Sequence, residues 1–398
     1  MPYWGVYLDH IGFSAKEIGK LMAIFLATKM IAPNIWAWIA DLLVARRGSA
    51  MGMVKLATLL TVLIYCLLYF ADGFWPVAII MLGYCVFWNA TLPQLEAATL
   101  NHISDKKQYG RIRLWGSIGF IVTVSLLGLT MDYTGPAVIL PFGAVALGLL
   151  FFSSLLMNSN ALTKQADNEG NTAQASQISG SQTSYSQASN SQTSNSQTSK
   201  ERGERLAEVL NARVITLLVL CLLMQLSHAP LQSFMSLYLA DYGYSSFQIG
   251  LLWSVGVICE IVVFIFAYKI LGRYSLSALL TFTFLCAATR WLLIGLFPDI
   301  AFVVVLTQAS HSITFGLYHA VMMQLIDRFF VGTTQIRGQA LYSSITYGLG
   351  GAIGSYLSGF IWSDIGKQEL FLLSGMLMIL VTTFSYFFTS HLIGKSSH

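Results

Sequence analysis

Two stretches of the chain read alike. Tyr7-Leu8-Asp9-His10-Ile11-Gly12-Phe13-Ser14 is followed by Glu17-Ile18-Gly19, and Tyr238-Leu239-Ala240-Asp241-Tyr242-Gly243-Tyr244-Ser245 is followed by Gln248-Ile249-Gly250. The two stand 231 residues apart. A second pair, Leu114-Trp115-Gly116-Ser117-Ile118 and Leu341-Tyr342-Ser343-Ser344-Ile345, stands 227 apart. Repeats in the same order and at nearly the same offset imply two tandem halves of parallel topology.

Composition says what the halves are made of. Of the 398 residues, 55% are hydrophobic and only 10% charged, with a mean hydropathy of +0.65. A soluble domain carries roughly 25% charged residues to solvate its surface. So few charges leave an apolar surface that must face lipid. This excludes a cytosolic enzyme, a secreted disulfide scaffold and a nucleic-acid-binding module. The five cysteines, Cys66, Cys85, Cys221, Cys259 and Cys286, all sit inside apolar runs with no CxxC pair, so neither a metal site nor a disulfide framework is suggested. No cofactor is expected. Met1-Pro2-Tyr3-Trp4 lacks the basic region of a signal peptide.

A helix needs about 20 apolar residues to cross a bilayer. Eleven complete runs qualify, near 15–41, 51–71, 75–99, 112–131, 136–157, 210–239, 246–271, 276–297, 300–327, 338–362 and 368–390. They are too long and too unbroken for barrel strands. The fold class expected is an all-α polytopic membrane protein of two pseudo-symmetric halves. The helix before Tyr238 begins near Leu210, so its repeat partner would begin about twenty residues before Met1. The first helix is therefore expected to be largely missing from this chain, through a mis-called start or a truncated gene.

Basic residues orient the spans. Arg46, Arg47 and Lys55, then Lys106, Lys107, Arg111 and Arg113, then Lys164, Lys200, Arg202, Arg205 and Arg213 all fall on one side, as do Lys269, Arg273, Arg328 and Arg337. The opposite turns carry Asp72, Asp132, Asp241, Asp299 and Asp364, with Lys16, Lys20 and Lys367 as exceptions. The basic side is read as cytoplasmic. Three domains follow: a transmembrane half at 1–157, a linker at 158–208 and a second transmembrane half at 209–398. The linker lies on the basic side and contains the pentads SQTSY, SQASN, SQTSN and SQTSK. Such polar, repetitive sequence cannot bury a core and is expected to be disordered, as a regulatory tether or as a tolerated repeat expansion.

Charges inside spans are costly, so they face a partner or a wet cavity. Lys29 lies about fourteen residues into its run, and Glu260 occupies the same depth 231 residues on. Arg290 is well inside the run 276–297. Glu260 is either a proton-coupling carboxylate, its ionisation tuned by burial, or a permanently paired one. Lys29 and Arg290 either bind a substrate carboxylate, Arg290 with bidentate geometry, or pair internally. Glu96, near the basic side, reads as structural. Histidines are the other proton handles. His228 precedes Pro230, which should kink its helix beside a cavity. His311, Phe315 and His319 follow i, i+4, i+8 spacing and share one helix face. All three histidines are candidates for proton coupling or for packing. Asn89 and Gln94, with Phe315, are candidate substrate contacts. Gly350, Gly354 and Ser358 match small-xxx-small packing. No GxxxxGK[ST] run supports ATP drive.

Several stretches carry a family resemblance: Pro2-Tyr3-Trp4-Gly5, Thr28-Lys29, Leu92-Pro93-Gln94-Leu95-Glu96-Ala97 and Tyr109-Gly110-Arg111-Ile112-Arg113-Leu114-Trp115-Gly116-Ser117. In the second half they are Gly250-Leu251-Leu252-Trp253, Glu260-Ile261, Arg290-Trp291, Phe315-Gly316-Leu317-Tyr318-His319-Ala320 and Gln339-Ala340-Leu341-Tyr342-Ser343-Ser344. The chain resembles the major facilitator superfamily, and within it the 3-phenylpropionate transporter branch, related to the lactose permease group. The resemblance covers essentially everything outside 158–208. It implies six helices per half, the first incomplete here, so about eleven full transmembrane helices. It also implies that Asp41 with Arg46 and Arg47 form an interdomain gate contact at the cytoplasmic face, the alternative for the Arg pair being ordinary positive-inside topology. Leu42 stands where that family motif has a basic residue.

The function expected from the resemblance is proton-coupled import of a small organic acid such as 3-phenylpropionate, by alternating access, in a bacterial cytoplasmic membrane. The chain would work as a monomer in the lipid bilayer, with substrate and protons as its partners and no nucleic acid. A neutral oligosaccharide or nucleoside symporter is the alternative. A non-transporting sensor or an inactive truncated transporter is a third class. A membrane enzyme would need a clustered constellation such as HExxH, and none is present.

Overall fold

The computed structural model describes residues 2–44, 50–102, 106–157 and 211–393. Within these, the side chains of some helical stretches lie outside the described set, among them 37–44, 92–94, 96–102 and 106–111. The linker 158–208 and the Arg46–Arg47 pair lie outside the described residues.

Among the described residues every regular element is helical. In hydrocarbon no water is available to backbone N–H and C=O groups, so each span must satisfy its own. The first half contains α1 (Trp4–His10), α2 (Ala15–Val44), α3 (Ala50–Cys66), α4 (Phe74–His102), α5 (Lys106–Thr134) and α6 (Ile139–Leu156). The second contains α7 (Ala212–Ser233), α8 (Met235–Asp241), α9 (Ser246–Arg273), α10 (Leu276–Leu296), α11 (Ala301–Ala309), α12 (Tyr318–Phe329), α13 (Gln335–Ser343), α14 (Gly351–Asp364) and α15 (Lys367–Ile393). Two π-helical segments, Ser312–Leu317 and Ser344–Gly350, fuse α11 to α12 and α13 to α14 into continuous rods. Each of the eleven runs expected to span is mostly helical where described, with 210–239 interrupted at Phe234 and 300–327 at Ser310. Eight described helices are long and apolar enough to cross a membrane by length and composition.

The 231-residue repeat is reproduced bond for bond. α1 and α8 are seven-residue helices at matching positions. After α1 the Gly12 N–H donates to Asp9 O and the Phe13 N–H to Leu8 O; after α8 the Gly243 N–H donates to Ala240 O and the Tyr244 N–H to Leu239 O. Gly12 and Gly243 take φ of 93° and 85°, which a residue with a Cβ adopts at a cost. The next helix then starts with a capping box in both copies. Ser14 pairs with Glu17 before α2, and Ser245 with Gln248 before α9.

By packing, the described residues fall into two units. One draws on Met1–Ala27, Leu114–Ile139 and Lys200–His398, the other on Thr28–Arg113 and Leu140–Ser199. In the second unit, the Trp36 indole N–H on α2 donates to Val86 O on α4 at 3.0 Å. Tyr65 and Tyr84 meet edge-on at 5.4 Å, and the Thr58 and Ser154 hydroxyls lie 3.2 Å apart. In the first unit, α10 lies along α15 and α7 along α14. The expected small-residue stripe is the α7–α14 contact: a Cβ at Gly354 would fall 2.5 Å from Ala229 Cβ and 2.8 Å from Leu226 O. With lipid as apolar as the side chains, such close approach is what holds helices together.

The acid-rich ends within this first unit are tied together. Asp132, near the end of α5, accepts from the Ser246 N–H at 2.6 Å and the Phe247 N–H at 3.0 Å, satisfying the first turn of α9. Tyr3 donates to Ser246 O at 2.6 Å. Lys16, in the first turn of α2, pairs with Asp364 at 2.7 Å, and Lys367 pairs with Asp241. Two of the three lysines that stood on the acidic side against the charge rule are thus neutralised locally.

Candidate functional site

The charged and aromatic candidates of the second half converge in the first unit, on the fused rod α11–α12. The π segment Ser312–Leu317 carries one residue more per turn than an α-helix, and such bulges are frequent at functional sites. It packs against α9 and α10. His311, Phe315 and His319 stand along one side of it as a ladder of near-parallel rings. The first pair of centroids is 5.2 Å apart and the second 6.4 Å, each with an interplanar angle of 11°. All three rings are half-buried.

Arg290 on α10 reaches the His311 end of the ladder. It is only 1% exposed. Its Nη1 donates to His311 Nδ1 at 3.0 Å and to Thr314 Oγ1 at 3.1 Å. Its guanidinium lies 4.6 Å from the centre of the Trp291 ring. The Nε and Nη2 groups have no partner among the described residues, and no carboxylate lies within ion-pair range of Arg290 there. Because His311 Nδ1 accepts from Arg290, its proton is on Nε2, and taking a proton at Nδ1 would require breaking that bond.

The other end of the ladder is a hydroxyl–imidazole triangle. His319 Nδ1 is 3.1 Å from the Tyr347 hydroxyl and 3.4 Å from that of Tyr342, and the two hydroxyls are 3.3 Å apart. Glu260 on α9 lies against the rod at Gly316. Its Cγ would be 3.2 Å from a Cβ at Gly316, so the missing side chain there makes room for the carboxylate stem.

His228 sits behind Arg290. Its ring meets Trp291 edge-on at 4.8 Å, and its Nδ1 donates to Met224 O at 2.9 Å, fixing the Nδ1–H tautomer. Pro230 lies inside α7, and the helix breaks at Phe234, whose φ of −126° ends the α geometry before α8.

Lys29 and Asn89 belong to the other unit. Lys29 is exposed and lies beside the Cys85 thiol. Asn89 Nδ2 donates to Thr28 Oγ1 at 2.9 Å. The side chains of Gln94, Asp41, Arg111 and Arg113 lie outside the described set, as do Arg46 and Arg47 altogether. Thr314, Tyr342 and Tyr347 were not singled out as site residues by sequence reasoning. One signal was present: Ser312-Ile313-Thr314-Phe315-Gly316-Leu317 recurs as Ser344-Ile345-Thr346-Tyr347-Gly348-Leu349, 32 residues on, and these stretches form the two π segments.

A tandem-repeat helical bundle that crosses the membrane and carries polar and charged groups within its spans has the construction of a secondary transporter. The chain belongs to the MFS_1 like family, whose profile matches residues 1–373, and is a multi-pass transporter of the major facilitator type. It is 28% identical over 383 residues to the probable 3-phenylpropionic acid transporter of Escherichia coli (strain K12), covering 92% of this chain and 87% of that one. It is 25% identical over 378 residues to the maltose permease of Geobacillus stearothermophilus, covering 93% and 86%. Among solved structures, the nucleoside transporter NupG superposes with a TM-score of 0.78 at 15% identity, over 96% of this chain and 92% of that one.

Proposed function

We propose that the chain imports a small aromatic organic acid, of which 3-phenylpropionate is the type, together with protons. The observation that carries this reading is Arg290. A buried cation without a counter-ion costs several kcal/mol, so it is kept only for a partner. Arg290 has two N–H donors, Nε and Nη2, on one edge and no acceptor for either among the described residues. That edge matches a carboxylate in bidentate geometry. The ring ladder beside it offers an aryl group a stacking face. The relative that transports 3-phenylpropionic acid by name supports the same class.

In this reading Glu260 carries the proton. It is half-buried on a span and set against Gly316, where losing and gaining a proton would couple to movement of the rod. His319 is its neighbouring relay, while His311 and His228 hold Arg290 and Trp291 in place. Phe315 is a substrate contact in this unit, and Lys29, Asn89 and Gln94 are candidate substrate contacts of the other unit, taken by itself. Asp41, Arg46 and Arg47, with Arg111 and Arg113, gate and orient the basic face. The protein works as a monomer in a bacterial cytoplasmic membrane with its linker inside; the named relatives come from bacteria.

The test is proton movement in proteoliposomes when 3-phenylpropionate, a nucleoside or a disaccharide is added. External alkalinisation with the aromatic acid, beyond that of empty liposomes, is the expected result. A response to the nucleoside or disaccharide alone would replace the organic acid with a neutral substrate and assign the charges to proton coupling only.

A further inference from the structure

Within the first unit, two helix crossings near the acid-rich ends are copies of each other. In one, Gly128 on α5 and Gly250 on α9 mark the contact; in the other, Gly359 on α14 meets Gly19 on α2. Gly19 and Gly250 stand 231 residues apart, as do Gly128 and Gly359. Their surroundings keep the same offset. A Cβ at Gly250 would fall 2.8 Å from Val124 O, and one at Gly19 would fall 2.8 Å from Ser355 O. A Cβ at Gly128 would run into Ser246 O, and one at Gly359 would stand 2.5 Å from Ala15 O. Each crossing joins a helix of the first half to a helix of the second, so both must part when the halves open on this side.

One crossing holds a wedge that the other lacks. The Tyr3 hydroxyl sits in the α5–α9 notch, 2.6 and 2.7 Å from where a Cβ at Gly128 or Gly250 would stand. It donates to Ser246 O at 2.6 Å, and Tyr3 is only 2% exposed. Its other neighbour, Val124 O at 3.4 Å, belongs to its own half and makes the weaker bond. The repeat position of Tyr3 is Phe234, which likewise stands just before a seven-residue helix. Phe234 stacks on Trp362 at 4.9 Å and has no hydroxyl to offer Ala15 O. One turn deeper, the Ser125 and Ser254 hydroxyls lie 3.3 Å apart between α5 and α9. Their repeat positions are Tyr356 and Ala23, and alanine cannot complete such a pair.

We infer that Tyr3 is a latch: its buried hydroxyl holds α5 against α9, so that the α2–α14 crossing parts first when the acid-rich side opens. The water-exposed ties do not distinguish the two crossings, since Asp132 serves one and the Lys16–Asp364 pair the other. Water replaces either as it breaks. Parting α5 from α9 also takes the acceptor from a buried hydroxyl, which stays without it until the notch is wide enough to admit water. The halves therefore open by a tilt that begins at α2 and α14, and not by both crossings separating together.

The experiment measures distances between paired spin labels on the full chain in proteoliposomes, with the five native cysteines replaced by alanine. Thr134→Cys with Tyr242→Cys reads the α5–α9 side. Ile365→Cys with Ile11→Cys reads the α2–α14 side. The two pairs are repeat equivalents, and all four positions are exposed. In the Tyr3-containing protein the separated fraction should be larger at 11/365 than at 134/242. One neutral hydrogen bond corresponds to roughly a three- to tenfold change in an equilibrium. Tyr3→Phe should raise the separated fraction at 134/242 by about that factor and bring it towards the value at 11/365. Phe234 shows that the repeat position accepts phenylalanine. Ser125→Ala leaves Tyr3 in place and should also raise the fraction at 134/242; it decides alone if Tyr3→Phe does not fold. Equal separated fractions at the two pairs before substitution, or no rise at 134/242 in the variant that folds, overturns the inference. Neither result bears on the choice between an aromatic acid and a neutral solute, which uptake decides.

Discussion

Replacing Arg290 with lysine keeps the charge and removes the fork. Lysine is a compact point charge and cannot present two parallel donors to one carboxylate. The substrate would keep one of two charge-assisted hydrogen bonds. Each is worth about 1.5–3 kcal/mol, so Kd should rise from roughly tenfold to somewhat over a hundredfold. The shift is readable as ligand-induced thermal stabilisation of the purified protein. At a substrate concentration of 100 times the wild-type Kd, wild type gains about 2.7 kcal/mol. At that concentration the lysine variant gains about 1.4 kcal/mol or less. With about 2–4 °C per kcal/mol for a chain of a few hundred residues, the wild-type midpoint should rise by roughly 5–10 °C and that of Arg290→Lys by about half of that or less. The bonds from Nη1 to His311 and Thr314 are a separate loss, and it appears in the midpoint without substrate. A full wild-type shift in Arg290→Lys, with an unchanged KM for uptake, would refute the bidentate grip and return Arg290 to a structural role.

Three further outcomes follow from named contacts. Glu260→Gln should abolish proton-driven accumulation while sparing exchange of labelled for unlabelled substrate, and undiminished accumulation against a gradient would remove Glu260 from coupling. Gly354→Leu places a side chain where Ala229 Cβ and Leu226 O already stand, at 2.5 and 2.8 Å, and overpacking of this kind costs about 1–3 kcal/mol or more; thermal melting should show the loss, and a midpoint equal to wild type would show that α7 and α14 separate freely. Asp132→Ala strips two backbone N–H groups of α9 of their acceptor, at a cost of about 0.5–2 kcal/mol. A cysteine placed near Gly250 should then react faster with a membrane-impermeant thiol reagent added from the acidic side, and an unchanged labelling rate would count against a tie at that point.

The helices and the repeat were legible because both follow from chain-local physics. A span needs a run of apolar residues. The turn after α1 needs glycine at Gly12 and a capping serine at Ser14, and the copy at Gly243 and Ser245 needs the same. The ladder was legible too, since i, i+4 spacing holds well enough through one π turn to keep the His311 and Phe315 rings parallel. The tyrosine end was not. Tyr342 and Tyr347 stand five residues apart, which on an α-helix separates them by about 140°. Tyr342 stands near the end of α13 and Tyr347 in the π segment Ser344–Gly350 that follows, where the wider i→i+5 turn changes the angle between them, and the hydroxyls come within 3.3 Å. A reading based on the 3.6 period could not join them. The pairing state of Arg290 was also beyond the sequence, because it depends on which side chains of α9 and the α11–α12 rod happen to face α10.

The ties at the acid-rich ends have a kinetic consequence. Asp132 on the first turn of α9, Lys16 on Asp364 and Lys367 on Asp241 are all exposed to water, which can replace each partner as it leaves. Exposed ion pairs contribute about 0–1 kcal/mol, and none of these contacts is locked by burial. Parting these three one at a time therefore exposes no large unsatisfied group, whereas the buried Tyr3 hydroxyl on Ser246 O has no such replacement at hand. Motions limited by such barriers belong to the microsecond-to-millisecond range.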